Sequence, residues 1–125
     1  MSSTSGHAMA MGPDALISFV DADLATANDL ASDLAESLTE DVPDLSINRV
    51  REDERTQDFG ATLAIILGST AVTALAKGIA KWLARRQDAR LQLKRTARNG
   101  QIREIKLEGR PTARTERIIN DFFRE

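Results

Sequence analysis

The sequence predicts a single α+β domain whose elements follow the order β-α-β-α-β-β-α. Short apolar or alternating runs are typical of strands, and four of them occur, at residues 15–20, 45–50, 90–95 and 103–108. Apolar residues at helical spacing indicate helices between and after these runs. We expect a four-stranded mixed sheet with helices mainly on one face and a long hydrophobic helix at the centre. Residues 1–13 are predicted to form a flexible tail, and residues 14–125 the domain.

The first third of the domain has the pattern of a strand, a helix and a second strand. Apolar residues repeat at spacings of three and four through the helix, at Leu24, Ala27, Ala31, Leu34 and Leu38. Asp21 or Asp23 is placed to cap its first turn, and Pro43 disfavours helix at the residue before it. A strand–helix–strand order predicts that the two strands pair in parallel through a right-handed crossover.

The centre of the chain is an uncharged stretch of eighteen residues, 59–76. It predicts one buried helix that begins at residue 58 or 59 and ends near residue 86. Gly60, Ala64 and Gly68 are four residues apart, so they would form a row of small side chains along this helix. Such a row lets another backbone approach closely. It is a candidate helix-packing seam, either with the chain's own sheet or with a second copy in a homo-oligomer.

A membrane span is the alternative interpretation of this segment. A helix needs roughly 20 apolar residues to cross about 30 Å of hydrocarbon, and residues 59–83 approach that length if their lysines reach the interface. The function would then be that of a membrane-anchored or membrane-active component of the inner membrane. A buried helix is favoured, because a span would separate the first strands from the last and leave each group with too little sheet.

The third and fourth strands form a β-hairpin whose register follows from its side chains. A loop that ends in Gly100 at positive φ places Leu91 opposite Leu107 on the buried side. On the other side, Lys94 then faces Glu104. A shift of one residue would put apolar side chains opposite charged ones, so this register is predicted. A final helix follows, with an apolar stripe formed by Thr115, Ile118, Ile119, Phe122 and Phe123.

Charge is distributed unevenly along the chain. Residues 13–58 hold thirteen acids and three bases, and residues 77–125 hold fourteen bases and six acids. These charges can pair within the domain or form two surfaces that bind protein partners. The candidate partner surfaces are an acidic one, with Asp29, Asp33 and Glu36, and a basic one, with Lys94, Arg95, Arg98 and Arg103. Nucleic-acid binding is disfavoured, because the hairpin has no aromatic side chains on which bases could stack.

The composition argues against the common catalytic sites. The chain has no cysteine, and its one histidine, His7, lies in the predicted tail. Triads that need His or Cys, and metal sites that need their side chains, are therefore excluded. The four acids of residues 51–58 lie among Arg51 and Arg55, which is typical of a solvated loop and not of a metal site. We expect no enzymatic activity, no cofactor and no metal, and a reducing cytoplasmic location fits the absence of cysteine.

The overall pattern resembles the effector-associated constant component family of small bacterial proteins from multi-gene conflict systems. The resemblance covers roughly residues 15–124 and is carried by ISFVDAD entering the first helix, KWLARR at the end of the hydrophobic segment, and IKLEG at the end of the hairpin. Gly60, Trp82 and Leu83 also resemble the family pattern. The resemblance implies a non-enzymatic adaptor or signal-relay protein that acts beside an NTPase sensor or a caspase-like or trypsin-like peptidase.

Overall fold

A computed structural model describes residues 14–50, 62–68, 71–86, 88–96, 100–108 and 112–124. In these ranges the chain forms five strands and three helices, so the α+β class is confirmed. The strands are β1 (Ala15–Phe19), β2 (Leu45–Val50), β3 (Thr62–Leu67), β4 (Arg90–Thr96) and β5 (Ile102–Glu108). The helices are α1 (Leu24–Asp41), α2 (Ala71–Arg85) and α3 (Thr112–Arg124).

The strands form one antiparallel sheet in the order β2-β3-β1-β4-β5. Strands β1 and β2 run in the same direction, as expected for strands joined by a helix, but β3 lies between them. In the same way, β1 separates β3 from β4. The first six elements therefore form two interlocked, split β-α-β units, the arrangement found in ferredoxin-like topologies. The predictions of four strands, a mixed sheet and direct parallel pairing are wrong, because they did not include β3.

The predicted long central helix is also wrong, because its first part is a strand. Leu63 and Ile65 face the helices and are fully buried, while Ile66 points to the other face and is 45% exposed. Thr62 and Ala64 share the face of Ile66 but are buried, so the strand is established by its pairing with β1 and β2 and not by burial alone. Strand β3 is flanked on both sides by other strands, and such interior strands are apolar over most of their length. A short apolar run of this kind cannot be distinguished from a buried helix by periodicity alone.

The residues of the predicted helix-packing seam do not lie on a helix. Ala64 is in β3, and Gly68 follows it directly, while Gly60 lies outside the described residues. The backbone N–H of Gly68 donates to the carbonyl oxygen of Asp44 at 2.8 Å. A Cβ atom at position 68 would lie only 2.6 Å from that of Asp44. Glycine is therefore needed here because the end of β3 approaches the turn before β2, and not because a second helix packs there.

The described part of residues 59–83 is divided between β3 and α2. Within the ranges that the structure describes, none of the helices has both the length and the apolar character needed to cross a membrane. The continuous spanning helix considered from the sequence is therefore not observed in this part of the chain.

Several local predictions are confirmed. The side chain of Asp23 accepts a hydrogen bond from the backbone N–H of Thr26 at 2.8 Å and caps α1, and α1 ends at Asp41, before Pro43. The hairpin has the predicted register, and Gly100 has a φ of 86°. Its cross-strand pairs include Arg90 with Glu108, Leu91 with Leu107, Leu93 with Ile105, and Lys94 with Glu104.

All three helices lie on one face of the sheet. One core joins the three helices to the helix-facing side chains of β1, β3, β4 and β5. Fully buried examples are Ile17, Leu63, Leu93, Leu34 and Ile119. Helix α2 lies between α1 and α3 and contacts both. The helix layer therefore follows the order α1-α2-α3, with α1 under β1, β2 and β3.

The alternation in β3 leads to a test with an internal control. We expect Ile65→Ala to lower the free energy of unfolding by about 2–5 kcal/mol, because it leaves a cavity in the core. The same change at the neighbouring position, Ile66→Ala, should cost less than about 1 kcal/mol, since Ile66 is already half in solvent. Urea denaturation of both variants measures the difference. Equal losses would contradict the assignment of residues 62–67 to a strand.

Candidate functional site

The predicted acidic residues lie along one stripe of α1. Asp29, Asp33 and Glu36 are spaced by four and three residues, so their side chains share a face of the helix. Helix α1 contains five acids and no base. Asp29 and Glu36 are exposed, whereas Asp33 is half-buried. The three residues therefore lie together, as predicted, but they differ in what surrounds them.

Asp33 connects α1 to the end of α2. Its Oδ2 atom accepts a hydrogen bond from Nε1 of Trp82 at 2.8 Å and another from the guanidinium of Arg86 at 2.9 Å. Trp82 is fully buried, and a buried indole N–H needs an acceptor. The hydrogen bond from Trp82, helped by the positive charges of Arg86 and Arg85, lowers the pKa of Asp33 below its ordinary value of 3.8, and partial burial opposes this. Asp33 is therefore committed to a contact inside the domain.

Arg95 also has a partner inside the domain. It lies on the helix-facing side of β4, where its Nε atom donates to the carbonyl oxygen of Phe122 at 2.7 Å. Its guanidinium carbon lies 5.4 Å from the centre of the Phe122 ring. The carbonyl groups at the C-terminal end of a helix carry partial negative charge, which a cation stabilises. Arg95 therefore holds the end of α3 against the hairpin.

The other predicted basic residues fall in three different places. Arg103 is opposite Arg95 in the register, faces the helices and is half-buried. Lys94 lies on the outer face of the sheet, 3.8 Å from the carboxylate of Glu104. Arg98 lies outside the described residues. The described part of the hairpin therefore does not present its cations as one cluster, which sequence spacing alone had suggested.

The structure also shows two surfaces that the sequence did not indicate. The first is the sheet face opposite the helices, where Leu16, Ala64 and Ile66 lie near the centre. The second is a cleft of about 190 Å³ lined by Val20, Asp21, Arg90, Lys106, Leu107 and Glu108. In this cleft Asp21 has a φ of 59° and forms an ion pair with Arg90 at 3.0 Å.

Among the residues that the structure describes, no three side chains of His, Cys, Asp or Glu lie close enough together to hold a metal ion. The acids of residues 52–54 and Asp58 lie outside the described residues.

Comparisons with known proteins add no relative to this description. No family model, no curated protein and no solved structure matches the chain. The resemblance to effector-associated constant components therefore rests on the sequence segments that carry it, such as KWLARR and IKLEG.

The contacts of Asp33 predict a dependence of stability on pH. Because the pKa of Asp33 is lower in the folded state, its carboxylate stabilises the fold above the ordinary pKa of 3.8. This contribution is lost as the pH falls through the lowered pKa of the folded state. We expect Asp33→Asn to lose roughly 1–2 kcal/mol of unfolding free energy at neutral pH, since the lost bonds are charge-assisted but partly exposed. The loss should begin to shrink below about pH 3.8, where the unfolded carboxyl takes up a proton, and should vanish only below the lowered pKa of the folded state.

Asp29→Asn is the matched control, because Asp29 is an exposed acid on the same stripe of α1. It should change the unfolding free energy by less than about 0.5 kcal/mol. Chemical denaturation from neutral pH to about pH 3 measures both variants against the wild type. An equal, pH-independent change in the two variants would refute the assigned role of Asp33.

Proposed function

We propose that this chain is a non-enzymatic adaptor of a bacterial conflict system, which recognises protein partners and relays a signal between them. The partners are an NTPase sensor or a peptidase effector of the caspase-like or trypsin-like kind. One observation carries the proposal: the exposed acids of α1 and the basic hairpin lie toward opposite edges of one sheet. The resemblance to effector-associated constant components supports the choice of system and partners.

The first surface, called here the acidic surface, consists of Asp29, Glu36, Glu40 and Asp41. All four are exposed residues of α1. Helix α1 contacts β2, β3 and β1, so this surface lies toward the β2 edge of the sheet. Asp33 is the acid of α1 that the structure bonds to another helix. The acidic surface can therefore meet a partner without any rearrangement of the core.

The second surface belongs to the opposite edge, formed by β4 and β5. These two strands carry five bases and two acids. Arg95 and Arg103 face the helices, so the outer side of this edge carries cations and anions in alternation. Complementary charge mainly steers association and sets orientation, and it adds less to affinity. Two differently charged edges therefore let one small domain contact two partners in defined orientations.

The composition supports a role without chemistry. The chain lacks cysteine and has a single histidine at position 7, so the usual nucleophiles, bases and metal ligands are scarce. Carboxylates and cations remain, and these are the groups that protein interfaces use at their rims. We place the protein in the cytoplasm, where thiol-free domains are stable without disulfides.

Reversal of charge on the acidic surface tests the proposal. The double variant Asp29→Lys/Glu36→Lys should weaken binding to the NTPase or peptidase encoded beside this chain by about ten-fold or more, because two attractive charges become repulsive. Its melting temperature should stay close to that of the wild type, since both side chains are exposed. Calorimetric titration with the purified partner measures the affinity.

Asp121→Lys is the matched control, because Asp121 is an exposed acid on α3, on the other side of the helix layer. It should leave the affinity unchanged. Undiminished binding by the double variant would count against the acidic surface. Failure of the wild-type protein to bind any product of the neighbouring genes would count against the adaptor function itself.

A further inference from the structure

Strand β5 forms one edge of the sheet. It spans seven residues, Ile102–Glu108, and contains neither proline nor glycine. In the described part of the chain it pairs with β4 and with no other strand. Ile102 on this strand is 64% exposed. An edge of this length presents a row of backbone N–H and C=O groups to which another strand can be added.

The two central charges on the outer face of β5, Glu104 and Lys106, are complementary to those of a second, antiparallel copy of the same strand, whereas Ile102 would lie opposite Glu108. Ile102, Glu104, Lys106 and Glu108 alternate with the helix-facing residues and point to the outer face of the sheet. If two β5 strands pair about a two-fold axis at Ile105, Glu104 of each copy lies opposite Lys106 of the other. Opposite charges in directly opposed positions stabilise strand pairs. Ile105, which is half-buried, then lies opposite its own equivalent.

The same side chains disfavour the neighbouring registers. A shift that places the axis at position 104 would bring two Glu104 carboxylates into opposition. A shift that places it at position 106 would bring two Lys106 ammonium groups into opposition. Like charges in directly opposed positions are destabilising. The charge pattern of β5 therefore selects one register out of the three closest ones.

We propose that this chain forms a symmetric dimer through its β5 strands, with the two five-stranded sheets joined into one. A two-fold axis perpendicular to the sheet keeps all helices of both copies on the same face. The row of charged side chains on the outer face of the hairpin would extend from one copy into the other. Within one copy, Glu104 accepts a hydrogen bond from Gln92 at 2.9 Å and lies 3.8 Å from Lys94. Lys106 of the second copy would flank the same carboxylate from the opposite side.

The other edge of the sheet is less suited to this pairing. The residues of β2 that point to the outer face are Ser46, Asn48 and Val50, and none is charged. Pairing β5 of one copy with β2 of another would leave Glu104 and Lys106 without opposed charges. Such head-to-tail contacts also produce open-ended filaments, whereas pairing of identical strands closes at two copies. The β5–β5 contact is therefore the one that the side chains favour.

This dimer does not require the proposed adaptor function, but it occupies the β5 edge, so a partner of the second surface would have to bind the outer face of β4 and β5. The acidic surface lies toward the β2 edge, so it stays exposed in both copies. A dimer would carry two acidic surfaces on one continuous sheet, and two linked sites increase the apparent affinity for a partner that is itself multivalent.

Charge exchange within β5 tests the proposal on the full chain. Analytical ultracentrifugation over a range of concentrations should show a monomer–dimer equilibrium for the wild type. Glu104→Lys alone opposes lysine to lysine, and Lys106→Glu alone opposes glutamate to glutamate. Each should weaken the dimer by roughly ten-fold or more, because two pairs per dimer change from attraction to repulsion. The double variant Glu104→Lys/Lys106→Glu should dimerise nearly as well as the wild type.

Mixing the two single variants gives the sharpest result. A chain with lysine at both positions should pair with a chain that has glutamate at both, so the mixture should form heterodimers although neither variant dimerises well alone. Lys81→Glu, a charge reversal at an exposed residue of α2, should leave the equilibrium unchanged. Glu104→Lys also removes the contact with Lys94, and thermal unfolding shows whether that variant is folded. Lys106→Glu does not remove this contact, so it carries the test on its own if Glu104→Lys unfolds.

Three outcomes would overturn the proposal. The first is a wild-type protein that stays monomeric at all concentrations. The second is assembly that grows beyond the dimer, which would indicate head-to-tail contacts. The third is a dimer on which the single variants and their mixture have no effect, because its contact would then lie elsewhere on the chain.

Discussion

Helix α2 is buried over most of its circumference, and covering its side chains is the constraint on which the rest of the fold depends. Eight of its fifteen residues are buried, and the sheet can cover only one side of a helix. Helix α1 covers one flank, where Gly78 allows close contact: a Cβ atom at this position would lie 2.9 Å from Cδ2 of Leu38. Helix α3 covers the other flank with Ile119 and Phe122.

The need to cover both flanks explains why the chain continues beyond its first six elements. A split β-α-β pair with two helices is already a complete arrangement, yet it would leave one side of α2 in water. Burial of one large aliphatic side chain contributes about 1.5–3 kcal/mol, and whole domains are stable by only about 5–15 kcal/mol. The segment β5-α3 is therefore an integral part of the core, and Arg95 holds its helix in place through the carbonyl group of Phe122.

The uneven charge of the chain is partly neutralised within the domain. Asp33 pairs with Arg86, and Asp21 pairs with Arg90, so in both pairs an acid of the first half meets a base of the second. These pairs are about half exposed, and ion pairs of this kind contribute little to stability. On the stripe of α1, Asp29 and Glu36 are exposed, while Asp33 is bonded to Trp82 and Arg86.

The sequence predicted those parts of the structure that depend on nearby residues. Asp23 caps α1 by accepting a hydrogen bond from a backbone N–H only three residues away, and the register of the hairpin follows from side chains in two adjacent strands. The centre of the chain was predicted wrongly. Because β3 and α2 are both apolar and no charged residue separates them, they were interpreted as one helix. Gly68, followed by Ser69 and Thr70, was the better boundary, since small hydroxyl residues commonly precede helices.

The candidate site, like the fold, was predictable only where it depends on residues that are close in the sequence. The shared face of Asp29, Asp33 and Glu36 follows from helical spacing alone. Which of them bonds to Trp82 depends on a contact between residues 49 positions apart, and no local pattern distinguishes Asp33 from Asp29. The opposite faces of Lys94 and Arg95 follow from the alternation of a strand, but the bond of Arg95 to the carbonyl oxygen of Phe122 does not. Exposure of a charged residue is thus set by tertiary contacts that a local pattern does not contain.

The position of Trp82 has a practical consequence. It is the only tryptophan of the chain, and its ring lies edge-on to Phe19, with the ring centres 6.3 Å apart. Its indole N–H is bonded to α1, so the wavelength of its emission reports on the junction between two helices and one strand. Separation of α1 from α2 would shift that emission to the red before the backbone circular dichroism signal is lost. Fluorescence and circular dichroism recorded together would then show whether the helix layer opens in one step or in two.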